Sequence, residues 1–385
     1  MNTAELDAKI QTLQSNKDRW AQMPIAERIT YLKSIQKGSY AVAHRQVRAA
    51  WEAKRLSPGT PLSGEEYLAG PVVQVRTIRL LIDTLKAIQK NGRPKLLSGG
   101  IRSLDDGRAA VRVFPTDLAD KILLAGFEAE VWMEPGVTPD NLDENLAEFY
   151  RTPPSEGRVA LVLGAGNVAS IGPLDMVHKL FVEGQVSLLK LNPVNEYLGP
   201  FIEESFAKLI ADGFVEVAYG GADVGDYLCQ HPQIDEIHIT GSDRTHDIIV
   251  FGPGEEGAAR KERGEPRNDK RITSELGNVS PVIVMPGSWT ESEMRFQAEN
   301  VATQLANNGG FNCNAIKVLI FHEDWSLKHE FLAMLKAVLA AIPQRFAYYP
   351  GAAERYDRFV SEHPEAEAIG ERTETSLPWT IMPDV

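Results

Sequence analysis

Apolar positions recur at three- and four-residue steps early in the chain. Ile25, Ile29, Leu32 and Ile35 form one stripe, with Glu27, Arg28 and Lys33 between them. That spacing belongs to a helix that buries one face and predicts helix over 4–56. Ser57-Pro58-Gly59 and Pro61 mark a turn. The stripe Leu80, Leu81, Leu85 and Ile88 predicts a second helical stretch over 64–90. Residues 110–134 hold two short β-like pieces, Ala-Val-Arg-Val-Phe and Glu-Val-Trp-Met, closed by Pro135-Gly136.

From Gly157 the texture alternates. Strands are predicted at Arg158 to Leu163, Val186 to Leu191, Val215 to Tyr219 and Glu236 to Thr240. Helices are predicted at Leu174 to Glu183, Phe201 to Ala211 and Val224 to Gln230. This rhythm implies a parallel sheet covered on both faces by helices. Residues 252–271 contain eleven charged side chains among 20 and read as a solvated loop. A strand from Val282 to Met285, a helix over Glu291 to Ala306, and a buried-type strand from Ala315 to Phe321 complete the pattern. Asn307-Asn308-Gly309-Gly310 reads as the loop that delivers Cys313.

Composition narrows the function. The chain has 385 residues, enough for two or three domains, and is 43% hydrophobic. Forty basic against 53 acidic side chains leave a net charge of −13. That charge disfavours nucleic acid or an anionic membrane as the main partner and suits a small ligand in a local pocket. No apolar run reads as membrane-spanning, and the amino terminus shows no secretory signal. Two cysteines, Cys229 and Cys313, make no disulfide framework, so a reducing, cytoplasmic setting is expected. No metal-ligand set is predicted.

Strand 158–163 runs into Gly164-Ala165-Gly166-Asn167, close to the dinucleotide fingerprint. The acid that the fingerprint places at the tip of the next strand is missing from Leu189-Lys190-Leu191-Asn192, and Pro173 is expected to delay the following helix. An ordinary dinucleotide turn, a merely tight turn, and a turn in which Asn167 does chemistry all remain open. Taken alone, Cys313 reads as a small core residue. Its polar, glycine-rich setting, however, leaves backbone N–H groups free for an oxyanion at the mouth of a strand. Cys229, on a helix, reads as packing.

Three segments in order resemble the aldehyde dehydrogenase superfamily: Thr240-Gly241-Ser242, then Glu275-Leu276-Gly277 with Ser280-Pro281, then Asn312-Cys313 with Ala315. Lys190 at a strand tip and His231-Pro232 with Asp235 fit the same pattern, which covers about residues 155–325. The resemblance implies an α/β fold with a Rossmann-type parallel-sheet cofactor domain, a partial α/β catalytic domain and a helical N-terminal region. The expected divisions are 1–109 helical, 110–150 bridging strands, 151–274 dinucleotide-binding and 275–385 catalytic.

The resemblance also implies roles. Cys313 would be the nucleophile, Glu275 the general base, and Asn167 an oxyanion donor. Lys190 would hold an adenosine ribose hydroxyl, with Asn192 beside the cofactor. Gly221 and Gly225 would let a helix pack close to the adenine. Gly241 and Ser242 would open the helix facing the pyrophosphate. The implied reaction is NAD- or NADP-dependent oxidation of a small-molecule aldehyde to an acid through a cysteine thiohemiacetal and thioester. Two alternatives are kept: an acyl-CoA or acyl-phosphate reductase of the same superfamily, and an inactive relative that only binds nucleotide or a partner.

Departures from the family pattern are visible. Pro193 stands where NAD-preferring relatives often carry an acid, which opens the way to NADP. Gly166 replaces an aromatic residue, and 252–271 look like an insertion beside the cofactor helix. No Glu-x-Phe motif or C-terminal oligomerisation tail is found in 326–385, so a truncated chain is expected and a homo-oligomer is left open.

Overall fold

The computed structural model describes residues 2–383. The readings of the amino terminus and of the segment ending at Val385 touch Met1, Asp384 and Val385, which lie outside the described residues.

The predicted helix over 4–56 is two helices, Thr3–Ala21 and Ile25–Ala53, separated by a turn in which Pro24 is extended. Proline fixes φ and lacks an N–H, so it ends one helix and starts the next. Leu13, Trp20, Leu32 and Ile35 are fully buried. The Trp20 ring meets Tyr31 and Phe181 edge-on, and its Nε1 donates to the Leu180 carbonyl at 3.0 Å. These contacts fasten the helical region onto the α/β core. The stretch predicted over 64–90 is also divided. Helices Pro61–Tyr67 and Val73–Asn91 flank a widened turn at Leu68–Val72. There Gly70 leaves helical dihedrals and Pro71 donates no hydrogen bond.

Strands β1 (Ile101–Ser103), β2 (Ala109–Phe114) and β3 (Ala129–Trp132) form an antiparallel sheet in that order. β1 was not anticipated, because three residues with a polar centre carry too little pattern. The main sheet contains β4 (Val159–Leu163), β5 (Val186–Lys190), β6 (Val215–Ala218), β7 (Glu236–Gly241) and β8 (Arg271–Leu276). All pairings are parallel, in the order β6-β5-β4-β7-β8. The polarity of the chain's path therefore reverses on either side of β4, and a crevice opens at the carboxyl ends of the strands. β4 and β5 are almost wholly buried, as expected of central parallel strands sandwiched between helices. β8 is an edge strand with mixed polarity, so its period was invisible in Arg-Ile-Thr-Ser-Glu-Leu.

Three expectations are corrected. Residues 254–263 are a helix, Gly254–Arg263, and not a loop. Glu255 and Glu256 occupy its first turn, and Arg260, Lys261 and Arg263 its last, so the charges complement the helix dipole. Glu256 also pairs with Arg260 one turn on, and Gly264 closes the helix in a left-handed conformation. Pro173 does not delay the helix after β4: the helix spans Ile171–Phe181, with the proline in its first turn, where its missing N–H costs nothing. Finally, β9 (Ser280–Val284) and β10 (Ile316–Phe321) pair in parallel but are not buried strands. Helices Glu291–Ala306 and Lys328–Ala341 cover one face, where Val284, Val301 and Phe331 pack. Ile283, Val318 and Ile320 lie exposed.

Candidate active site

The predicted functional residues gather at the carboxyl edge of the main sheet and in the loop entering β10. β4 ends in Gly164-Ala165-Gly166-Asn167. A Cβ on Gly166 would come within 2.7 Å of the Asn192 side chain, so any larger residue here would have to displace Asn192. Asn192 leans back against this turn. Its Oδ1 accepts from the Val194 N–H at 3.0 Å and caps the short helical turn Pro193–Leu198. Asn195 Nδ2 donates to the Ala165 carbonyl at 3.1 Å, tying the turns after β4 and β5 together.

Asn167 is thereby held at the head of helix Ile171–Phe181. Its Nδ2 donates to the Phe311 carbonyl at 2.9 Å. An amide nitrogen carries two N–H groups, so one remains for another acceptor. The Phe311 carbonyl lies two residues before Cys313, so this bond joins the Asn167 turn to the cysteine loop.

That loop is built from left-handed backbone. Asn308, Gly309 and Gly310 have φ of 52°, 67° and 78°. Only glycine and, less readily, asparagine enter this region at small cost, which explains the Asn-Gly-Gly sequence. The loop presents Cys313 half-buried. Burial, followed by the neighbouring Glu275 carboxylate, pushes the Cys313 thiol pKa up, while the backbone N–H groups of Asn314 and Cys313 pull it down. Glu275 sits near the end of β8, exposed, in register with Thr240 of β7. Glu275, on the main sheet, thus acts on the thiol carried by the loop that enters β10. Cys229 is buried, and burial pushes its thiol up to about 12, so it is inert at neutral pH.

The remaining predicted residues line the ends of β5, β6 and β7. Lys190 ends β5 and is buried. Burial pulls its pKa down, and the carboxylates of Glu196 and Asp223 oppose that. Gly221 precedes helix Ala222–Gln230, and a Cβ placed on Gly225 within that helix meets nothing within 4 Å. Gly241 ends β7. Ser242 caps helix Asp243–Phe251, its Oγ accepting from the Thr245 N–H at 3.1 Å. An open helix face, a buried lysine at a strand tip and a capped helix start, all on one crevice, fit a dinucleotide.

Sequence reasoning missed a group behind the site: Lys54, Glu66, Asn308 and Tyr348 converge beneath the Asn167 carbonyl. Only the Asn-Asn-Gly-Gly run signalled it, and that signal spoke of backbone, not of side-chain partners. Among the described residues, no group of three or more His, Cys, Asp or Glu could hold a metal ion, and no helix is long and apolar enough to cross a membrane.

The chain is similar to known aldehyde dehydrogenases in sequence and in fold. The model of the aldehyde dehydrogenase family matches residues 167–346. A 4-trimethylaminobutyraldehyde dehydrogenase A from Danio rerio is 28% identical over 142 residues, covering 36% of this chain and 25% of the relative. Aldehyde dehydrogenase LUC3 from Fusarium sp is 27% identical over 162 residues, 41% of this chain and 32% of the relative. The matched regions thus span a quarter to a third of these curated relatives. Among solved structures, the NADP complex of an NADP-dependent glyceraldehyde-3-phosphate dehydrogenase from Bacillus halodurans C-125 superposes with a TM-score of 0.65 at 16% identity, covering 99% of this chain and 70% of that one. An aldehyde dehydrogenase from Bartonella henselae gives 0.62 at 15% identity, covering 100% and 70%.

Proposed function

Because the chain belongs to the aldehyde dehydrogenase superfamily, we propose that it oxidises a small aldehyde to the carboxylic acid, using NAD or NADP and Cys313 as nucleophile. The observation that carries this reading is the meeting of three groups from separate elements: the Cys313 thiol, the Glu275 carboxylate beside it, and the Asn167 amide bonded to the cysteine loop.

A nicotinamide dinucleotide bound in the crevice would supply the hydride acceptor, so that aldehyde and water give acid, with two electrons and a proton passing to the cofactor and a second proton to solvent. The chain's own residues do the rest. At rest the thiol is protonated, held so by burial and by Glu275. Glu275 takes the thiol proton as sulfur attacks the carbonyl carbon and passes it to solvent, which leaves the carboxylate free for the second half of the reaction. The charge that develops on the carbonyl oxygen faces the second Asn167 N–H and the Cys313 backbone N–H. One such donor is worth about 2.7–4 kcal/mol. After the C–H bond has been oxidised, Cys313 carries the acyl group as a thioester. Glu275 then takes a proton from water, hydroxide adds to the thioester carbonyl, and the C–S bond breaks to return the thiolate. General base assistance of this kind contributes roughly 10²–10⁴-fold.

Lys190 holds the adenosine ribose in this reading. Pro193 removes a charge that would repel a 2′-phosphate, but Glu196 and Asp223 restore negative charge around Lys190. The site therefore favours NAD. Asn192 supports the cofactor through the turn it caps. The cofactor part is taken as 151–274 and the catalytic part as 275–385, with Glu275 still hydrogen-bonded into the main sheet through β8. The neighbouring thiol and carboxylate favour hydrolysis over release to coenzyme A or phosphate, and product analysis with and without coenzyme A separates these outcomes. Cys313→Ala tests the proposal: it abolishes turnover and spares cofactor binding. Undiminished aldehyde oxidation in that variant would remove Cys313 from the reaction.

A further inference from the structure

Lys54 caps the C-terminal end of helix Ile25–Ala53 and is 3% exposed. An ammonium has three N–H donors, and here each has an acceptor. Lys54 Nζ donates to Glu66 Oε1 at 2.8 Å, to Asn308 Oδ1 at 3.1 Å and to the Asn167 carbonyl at 3.4 Å. Asn308 Nδ2 in turn donates to the same Asn167 carbonyl at 2.9 Å and to Asn312 Oδ1 at 3.0 Å. The Tyr348 hydroxyl lies 3.1 Å from that carbonyl and 3.0 Å from Asn308 Oδ1. One buried cation from the N-terminal helices thus grips both the residue that carries the oxyanion amide and the loop that carries the nucleophile.

The pair makes little sense as a source of stability. Glu66 is 3% exposed and its Oε2 has no hydrogen-bond partner. Burial also pulls the Lys54 pKa down against the pull of Glu66. Removing two charges from water costs several kcal/mol per ion, and an ion pair with an orphaned oxygen recovers that poorly. What the pair does supply is geometry: together with Glu65, which accepts from the Asn308 N–H at 3.0 Å, and Tyr348, it holds Asn308 in its left-handed conformation, and Asn308 in turn donates to Asn312, the residue next to Cys313.

We propose that Lys54 is a positioning residue that holds Asn167 and the Cys313 loop in catalytic register. This rests on the reading of Cys313 and Asn167 given above. A misplacement of about 1 Å remote from the chemistry can cost about 10²-fold in rate, and the same loosening should uncover the half-buried thiol.

The test is the double variant Lys54→Met/Glu66→Leu, which replaces the pair by apolar side chains and leaves no lone buried charge. Three readouts are taken: melting temperature, kcat and KM for aldehyde oxidation, and the rate at which iodoacetamide alkylates Cys313. The double variant should melt at or above the wild-type temperature, lose about 10²-fold in kcat with little change in KM, and be alkylated several-fold faster. Lys54→Arg, which keeps the charge, should recover part of kcat. Lys179→Met is the control. It breaks the buried Lys179–Glu236 pair at the opposite end of the main sheet, so it should lower the melting temperature and leave kcat and alkylation unchanged. A folded double variant with wild-type kcat and alkylation rate overturns the proposal. An equal loss of kcat in Lys179→Met does the same. If the wild-type chain oxidises no aldehyde, the enzymatic reading fails instead, and the alkylation rate alone still decides whether Lys54 holds the loop.

Discussion

Glu275→Gln separates two effects of one carboxylate that have opposite signs. In the resting protein Glu275 is, after burial, what raises the Cys313 pKa, first as a hydrogen-bond acceptor and then through its charge. Glutamine keeps the shape and removes the charge, so the thiol pKa falls while the contribution of burial stays. At neutral pH the thiolate fraction rises, and alkylation of Cys313 should be faster in the variant than in the wild type. Turnover should move the other way. With no base for water, deacylation loses roughly 10²–10⁴-fold, which at about 1.36 kcal/mol per decade is a barrier increase of about 2.7–5.4 kcal/mol. Stopped-flow records of reduced cofactor should show a first-turnover burst followed by a near-flat steady state. The alkylation assay is the pH dependence of iodoacetamide labelling, read by mass at the Cys313 peptide. A midpoint that rises in Glu275→Gln, or a steady-state rate that survives, would refute the assignment of this carboxylate.

Other consequences are direct. Asn167→Ala should lower kcat by roughly 10²–10³-fold through loss of the oxyanion donor, and should cost about 0.5–1.5 kcal/mol of stability through loss of the bond to Phe311; kinetics and denaturant titration of the same preparation read both, and unchanged kcat would place the oxyanion elsewhere. Cys229 should resist alkylation at pH 7 under conditions that label Cys313, since burial raises its pKa to about 12; comparable labelling of both would contradict the packing shown here. NAD should give the higher kcat/KM, because the negative charges of Glu196 and Asp223 act at Lys190; an NADP preference would show that Pro193 governs the choice.

The parts of the fold that were legible in the sequence are those where burial on both faces leaves an unbroken signal. Val159–Leu163 is a continuous apolar run, Val186–Lys190 is apolar but for Ser187 and the terminal Lys190, and both are buried central strands. Glu291–Ala306 announced both of its ends, through Thr290 with Glu293 in a capping box and through Asn307. Thr240-Gly241-Ser242 was readable because strand end and helix cap follow each other without a gap. Where one face meets water, the pattern weakened. β8 alternates too irregularly to be seen as an edge strand, and the charges of Gly254–Arg263 resembled a loop although their order along the helix suits its dipole. At the proposed site, Cys313, Glu275 and Asn167 are singled out by their neighbours in sequence. Lys54 and Glu66 are not, because their meaning lies in a contact with Asn308, 254 residues from Lys54 along the chain.

The most direct test of the central claim is intact-protein and peptide mass spectrometry of Glu275→Gln after mixing with a simple aldehyde and NAD. A covalent acyl group on sulfur predicts a mass increase equal to the acyl residue, located on the Cys313 peptide, released by hydroxylamine and absent from the Cys313→Ala/Glu275→Gln variant. Reduced cofactor formed with no adduct on Cys313, or with the adduct on Cys229, would contradict the account.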